Sequence, residues 1–178
     1  MSTVTNDELR FVPYVPAGFE GPTVDVVDAL KRAKAVLVEE DRWVKRSWFL
    51  NEHPEVDPQD PFCNSWKVCA EGAVLVVTIG VVNEGLVNSG SASSCPWHGY
   101  DLPPRSYDNL VDSAQQAIYE EAKLFLAEAG MRITGVDVSS AWEVNDEIFE
   151  TRDEVLAWFD ATITAAETGR PEPTPEPV

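Results

Sequence analysis

Apolar residues recur at helical spacing in four stretches of the chain, and each stretch predicts a helix. The first follows Pro22-Thr23, with Thr23 as its expected N-cap. Val26, Val27, Leu30, Ala33 and Leu37 share one face there, while Asp28, Lys31, Arg32 and Glu39 take the other. The second is expected from Phe62 to Val82, with Phe62, Trp66, Cys69, Ala73 and Val77 on one stripe. Its later part, residues 74–82, is β-branched and reads equally well as a buried strand, although helix is preferred for the whole. The third spans Ser106 to Ala129, with Gly130 as its C-terminal cap. The fourth begins at a capping box, Thr151-Arg152-Asp153-Glu154, and turns Val155, Trp158, Phe159, Thr162, Ile163 and Ala166 inward.

The connections differ in character. Residues 41–61 are Trp-bearing and hold three prolines, which prevent a long helix. Residues 83–105 form a polar loop, and residues 131–146 read as irregular or as a short extended piece. Residues 1–22 read as an irregular arm, whose Phe11, Tyr14 and Phe19 are suited to lie against the folded part. The Pro/Glu-rich residues 167–178 offer nothing to bury and are expected to be disordered or extended. The fold class that follows is mainly α: one compact helical domain over residues 23–166, with about four main helices, long loops and short strand pieces.

Composition narrows the function more than the fold. At 178 residues the chain suits one domain, and its 44% hydrophobic content is ordinary for a globular protein. Against 13 basic residues stand 31 acidic ones, a formal net charge of −18. Such a chain repels phosphate backbones and anionic bilayers, so neither direct nucleic-acid binding nor membrane docking is expected. No basic segment followed by an apolar core opens the chain, and the run Gly72–Val82 is too short to span a bilayer. Together with three cysteines, an odd number, this predicts a cytoplasmic protein with reduced thiols.

Three quoted pieces carry a resemblance: "VLVEEDRW", "CAEGAV" and "WEVNDEIFETRDEVLAWFDATITAA", in that order. The sequence resembles an uncharacterised family of small proteins encoded by actinobacteria and their phages, a domain of unknown function. The matching positions are Trp43, Cys69, Gly72, Ala73, Asn145, Asp146, Thr151, Glu154, Val155, Asp160 and Ile163. The resemblance runs through short motifs from about Thr23 to Ala166. Here Glu143 and Val144 separate Trp142 from Asn145-Asp146, where the family has Trp directly before Asn. The loop carrying Cys95 and His98 lies outside the pattern. What the resemblance implies is a fold and an actinobacterial or phage origin; it brings no activity.

Candidate chemistry is sparse. "SCPWHGYDL" (94–102) looks like the second ligand pair of a Rieske centre, but the first pair is missing. The only other histidine, His53, precedes Cys63 and Cys69 and is followed by Pro54, so no Cys-x-His pair can be completed and the cluster is ruled out. Cys63, Cys69, Cys95 and His98 supply the ligand types of a Cys₃His zinc site. Their spacing is poor, because Cys63 and Cys69 on one helix would point to opposed faces. Cys95 with His98, and Asp101 as a third group, is the corresponding nucleophilic reading. Without a further signature, a turn on Pro96 and Gly99 is preferred to either.

The segment Trp142–Asp146 reads as a turn that Asn145 and Asp146 set through their own backbone, anchored by a buried Trp142. The functional alternative is an acidic pocket of Asp146, Glu147 and Glu150. Cys69, Gly72, Trp142, Asn145, Asp146, Thr151 and Glu154 are accordingly taken as structural, with Gly72-Ala73 permitting close helix contact. Trp48, Trp97 and Tyr100, in proline-rich or polar loops, are the candidate protein contacts. No cofactor is expected. The resulting expectation is a non-enzymatic accessory protein that binds a host protein through an acidic surface. The alternative is a metal-binding or hydrolytic domain built on the Cys95–His98 loop.

Overall fold

The computed structural model describes residues 11–39, 42–46, 49–51, 66–82 and 112–169. Their elements, in chain order, are β1 (Phe11–Val12), α1 (Val26–Val38), β2 (Phe49–Asn51), β3 (Trp66–Val68), α2 (Ala70–Thr78) and β4 (Val81–Val82). Then come α3 (Ser113–Thr134), the three-residue α4 (Ala141–Glu143), a π-helical turn (Val144–Ile148) and α5 (Arg152–Thr168). The described residues are mostly helical, and the strands form two short antiparallel pairs, β1 with β4 and β2 with β3.

At the centre lies α2, all nine of whose residues are buried. Its sequence, AEGAVLVVT, is apolar on every side, which is what a helix surrounded by others requires. It packs on α1 and α3; α5 closes the bundle against α1 and α3. Val74, Val76, Leu30, Leu37, Leu126, Tyr119, Trp158 and Phe159 are among the fully buried side chains of the resulting core.

The expected second helix is three elements in fact. Trp66 to Val68 is a strand with alternating burial, in register with Phe49–Asn51. Cys69, extended at φ −77° and ψ 176°, then caps a helix that starts at Ala70. Gly80, at φ +88°, ends it and leads Val81–Val82 into pairing with Phe11–Val12. A helix buried all round has no stripe to mark its ends, so the stripe drawn through Phe62, Trp66 and Cys69 ran across a strand.

Other boundaries move for identifiable reasons. The cap of α1 is Asp25, which accepts the Asp28 amide at 2.8 Å. Thr23 instead is buried and donates its hydroxyl to Val77 O on α2 at 2.5 Å. Asp112 caps α3 by accepting from the Ala114 and Gln115 amides, so this helix starts after the expected Ser106. Nor does α3 stop at Gly130: it runs on to Thr134 and is capped by Gly135 at φ +69°. At Gly130 a Cβ would meet Val144 Cγ2 at 2.6 Å, so the glycine serves packing rather than termination. Residues 131–146, expected to be irregular, thus include the last turn of α3, all of α4 and the start of the π-helical turn.

At the start of α5 both halves of the capping box are present. Its Val155, Trp158, Phe159 and Thr162 are buried, with Ile163 and Ala166 packed at the edge of the core. The preceding arm is held closely. Tyr14 donates its amide to Val76 O at 2.7 Å and meets Trp66 edge-on at 4.9 Å between centroids. Arg32, only 4% exposed, donates to the carbonyls of Glu20 and Gly21, pairs with Asp28 and lies over the Phe19 ring.

A Cβ at Gly80 would stand 2.3 Å from the Val12 carbonyl carbon, whereas at Gly18, also at φ +88°, nothing lies within 4 Å. The two glycines share a backbone cost and differ in space. Gly80→Ala is therefore expected to lose about 1–3 kcal/mol more stability than Gly18→Ala. Urea denaturation of both variants measures the difference.

Candidate functional site

Buried polar groups from three parts of the chain meet at the N-terminus of α2. The amide of Ala70, orphaned by helix geometry, donates to Asn145 Oδ1 at 3.1 Å. The same oxygen accepts from Trp43 Nε1 at 2.9 Å, and Asn145 Nδ2 donates to Asp146 Oδ1 at 2.6 Å. Asp146 Oδ1 also takes the Arg46 amide at 2.9 Å, holding Arg46 at φ +60°. Asn145 is fully buried and Asp146 is 6% exposed. This differs from a turn bonded to its own backbone, because the partners come from residues 43–46 and 70. A π-helical turn widens the backbone and aims both side chains inward at that distant segment.

Beside this knot lies a buried carboxylate. Glu71, 4% exposed, accepts from Tyr119 Oη at 3.0 Å, with Lys123 Nζ at 3.8 Å. Burial raises its pKa above the ordinary carboxyl value; Lys123, Tyr119 and the Trp142 amide oppose the rise, and Glu120 adds to it. Burial also pushes the Tyr119 hydroxyl well above its usual value, helped by the Glu71 charge and hydrogen bond, then by Glu120 and Cys69. Lys123 is shared with Glu120 at 2.9 Å, so it compensates Glu71 only in part. Cys69 is buried, and its sulfur accepts the Gly72 amide at 3.3 Å. Glu71 with Tyr119 and Lys123 joins α2 to α3, and Asn145 joins the π-helical turn to α2.

Glu71, Tyr119 and Lys123 were missed by the motif reading. A signal was available: Glu71 is the single charged residue between Ala70 and Val82, and Tyr119 and Lys123 stand four apart on α3.

The expected buried anchor is corrected: Trp142 is 40% exposed, and Trp43 makes the bond to the turn. Around Trp142, residues 137–154 carry seven acidic side chains and one basic, Arg152. Asp137, Glu147, Glu150, Asp153 and Glu154 of that stretch are exposed, while Asp146 is buried, so the last is no member of an open acidic pocket. Glu143 and Glu154 have lowered pKa values because Ser139 in one case, and the Glu150 amide with Thr151 in the other, bond their carboxylates. The cations elsewhere are largely engaged: Lys31 with Glu167, Lys34 with Asp160, Lys45 with Glu150 and Arg42 with Glu39.

Cys63, Cys95 and His98 lie outside the described residues, as do Trp48, Trp97, Tyr100 and Asp101. Of the candidate zinc ligands the structure places Cys69 alone, as the cap of α2 and not within a helix shared with Cys63. Among the described residues, no three His, Cys, Asp or Glu side chains group as metal ligands, and no helix is long and apolar enough to cross a membrane.

Replacing Asn145 with Ala would strand two donors, Trp43 Nε1 and the Ala70 amide. The variant is expected to lose roughly 2–6 kcal/mol, since each unsatisfied buried group costs about 1–3 kcal/mol. The urea midpoint reads this out, and an unchanged midpoint would mean that water replaces the amide.

A family model described as "Family of unknown function (DUF6197)" matches residues 21–165, the span that holds α1 to nearly the end of α5. No curated protein and no solved structure matches the chain.

Proposed function

Given that the chain belongs to the family of unknown function DUF6197, we propose that it is a non-enzymatic, protein-binding accessory protein of an actinobacterium or its phage. In this reading it works in the cytoplasm and binds a basic host protein through the acidic surface around Trp142. Contact with nucleic acid or a membrane is not part of the role.

One observation carries the reading. Trp142 is a large aromatic left 40% exposed in a stretch of seven acidic residues against one basic. Exposed tryptophan is costly to leave in water and is over-represented where partners dock. Surrounding carboxylates steer a basic surface toward it and raise the rate of encounter. The buried polar groups nearby support the same reading, because Asn145, Asp146 and Tyr119 spend their hydrogen bonds inside the domain.

Affinity capture from an actinobacterial extract tests this, comparing the wild type with Trp142→Ala and with Glu147→Lys/Asp153→Lys. A basic protein should be enriched by the wild type and lost with either variant, and also lost on raising salt, which screens exposed charges. Circular dichroism of both variants should still show a folded helical protein. Equal capture by all three proteins would overturn the reading.

A further inference from the structure

Helices α3 and α5 lie side by side over their C-terminal halves. Trp158 Nε1 donates to Leu126 O at 2.9 Å, and further along both helices a groove opens between them. Ala129, Arg132 and Ile133 line it from α3, and Ala161, Thr164 and Thr168 from α5. It holds about 370 Å³, room for a short extended segment. Ile133 is left 49% exposed there, and Thr164 and Thr168 donate their hydroxyls to carbonyls of their own helix. The exposed Arg132 is different: among the described residues it has no ion-pair partner, whereas Lys31, Lys34, Arg42 and Lys45 each have one.

We infer that the chain's own Pro/Glu-rich segment 170–178 lies back along this groove, with Glu172 on Arg132 and proline rings against Ile133 and Ala161. The segment itself is outside the described residues. It leaves α5 just beyond Thr168, which lines the groove, so its start already stands at one end of the site. Gly169, at φ +80° and ψ 170°, holds a backbone form essentially closed to other residues and turns the chain off the helix. The length fits: Thr164 stands about 6 Å back from Thr168 along the helix. Two residues of polyproline-type chain cover about 6 Å, which carries Glu172 back toward Arg132 once residues 169 and 170 have turned. The charge fits too, since Glu172 and Glu176 meet an unpaired guanidinium. Prolines at 171, 173, 175 and 177 hold the segment extended, so little freedom is lost on docking. An exposed ion pair is weak, but the tether supplies an effective concentration on the order of millimolar, and a contact of only that affinity suffices. The inference goes beyond the binding role and does not depend on it.

Nuclear magnetic resonance of the full-length chain tests the docking. Order parameters of the Glu172 and Thr174 amides should approach the roughly 0.85 of rigid backbone. Nuclear Overhauser contacts should join the Pro171 or Pro173 ring to the Ile133 and Ala161 methyls. Glu172→Lys, a change outside the helical domain, should abolish these contacts and drop both order parameters below about 0.6. Raised salt should act in the same direction. Adding Arg132→Glu to Glu172→Lys should restore the contacts, with circular dichroism showing both variants folded. Order parameters below about 0.6 in the wild type, contacts that survive Glu172→Lys, or no recovery in the double variant would each overturn the inference. Contacts found between labelled and unlabelled copies in a mixed sample would give the groove to a second copy of the chain, and would overturn it equally.

Discussion

A helix buried on every side must have its end satisfied from within the protein, and that demand organises this structure. The amides at the N-terminus of α2 have no water to turn to. Cys69 takes one and Asn145 takes another, and Asn145 is thereby forced into the core from a segment seventy-five positions further along the chain. Once Asn145 is there, Trp43 and Asp146 follow, because a buried amide has further donors and acceptors to satisfy. The π-helical turn is the backbone form that lets two successive side chains enter together.

Near the same helix end lies a buried carboxylate whose charge is only partly matched. Glu71 sits in the first turn of α2, where the helix dipole favours an anion, yet its surroundings are dry and its cation is shared. Removing it would leave Tyr119 without its acceptor. A carboxylate that is both needed and uncomfortable gives the domain a place where its energy depends on solution conditions rather than on packing alone.

The parts of the fold that were legible in the sequence are those with one wet side. α1 and α5 show an apolar stripe against a polar face, and the Thr151–Glu154 box marks the start of α5 plainly. Ends that rest on tertiary partners were not legible. Thr23 looks like a cap but gives its hydroxyl to Val77, and Gly130 looks like a stop but makes room for Val144. The site divides in the same way. Asn145 and Asp146 stood out as a pair, but their partners lie about a hundred residues away and no local pattern points to them. Trp142 was expected inside because tryptophan usually is, and the bond that would have anchored it belongs to Trp43.

The separation between Trp43 and Asn145 also sets a timetable. A chain emerging from the ribosome presents α1, the Trp43 segment and α2 well before residue 145 exists. Until then the Ala70 amide and the Trp43 indole lack their acceptor, and the most apolar helix of the domain lacks α3 and the contacts that complete its cover. The N-terminal half therefore cannot complete its buried hydrogen bonds until the last third of the protein is made. During that interval the exposed valines of α2 are an aggregation hazard that the finished fold no longer displays.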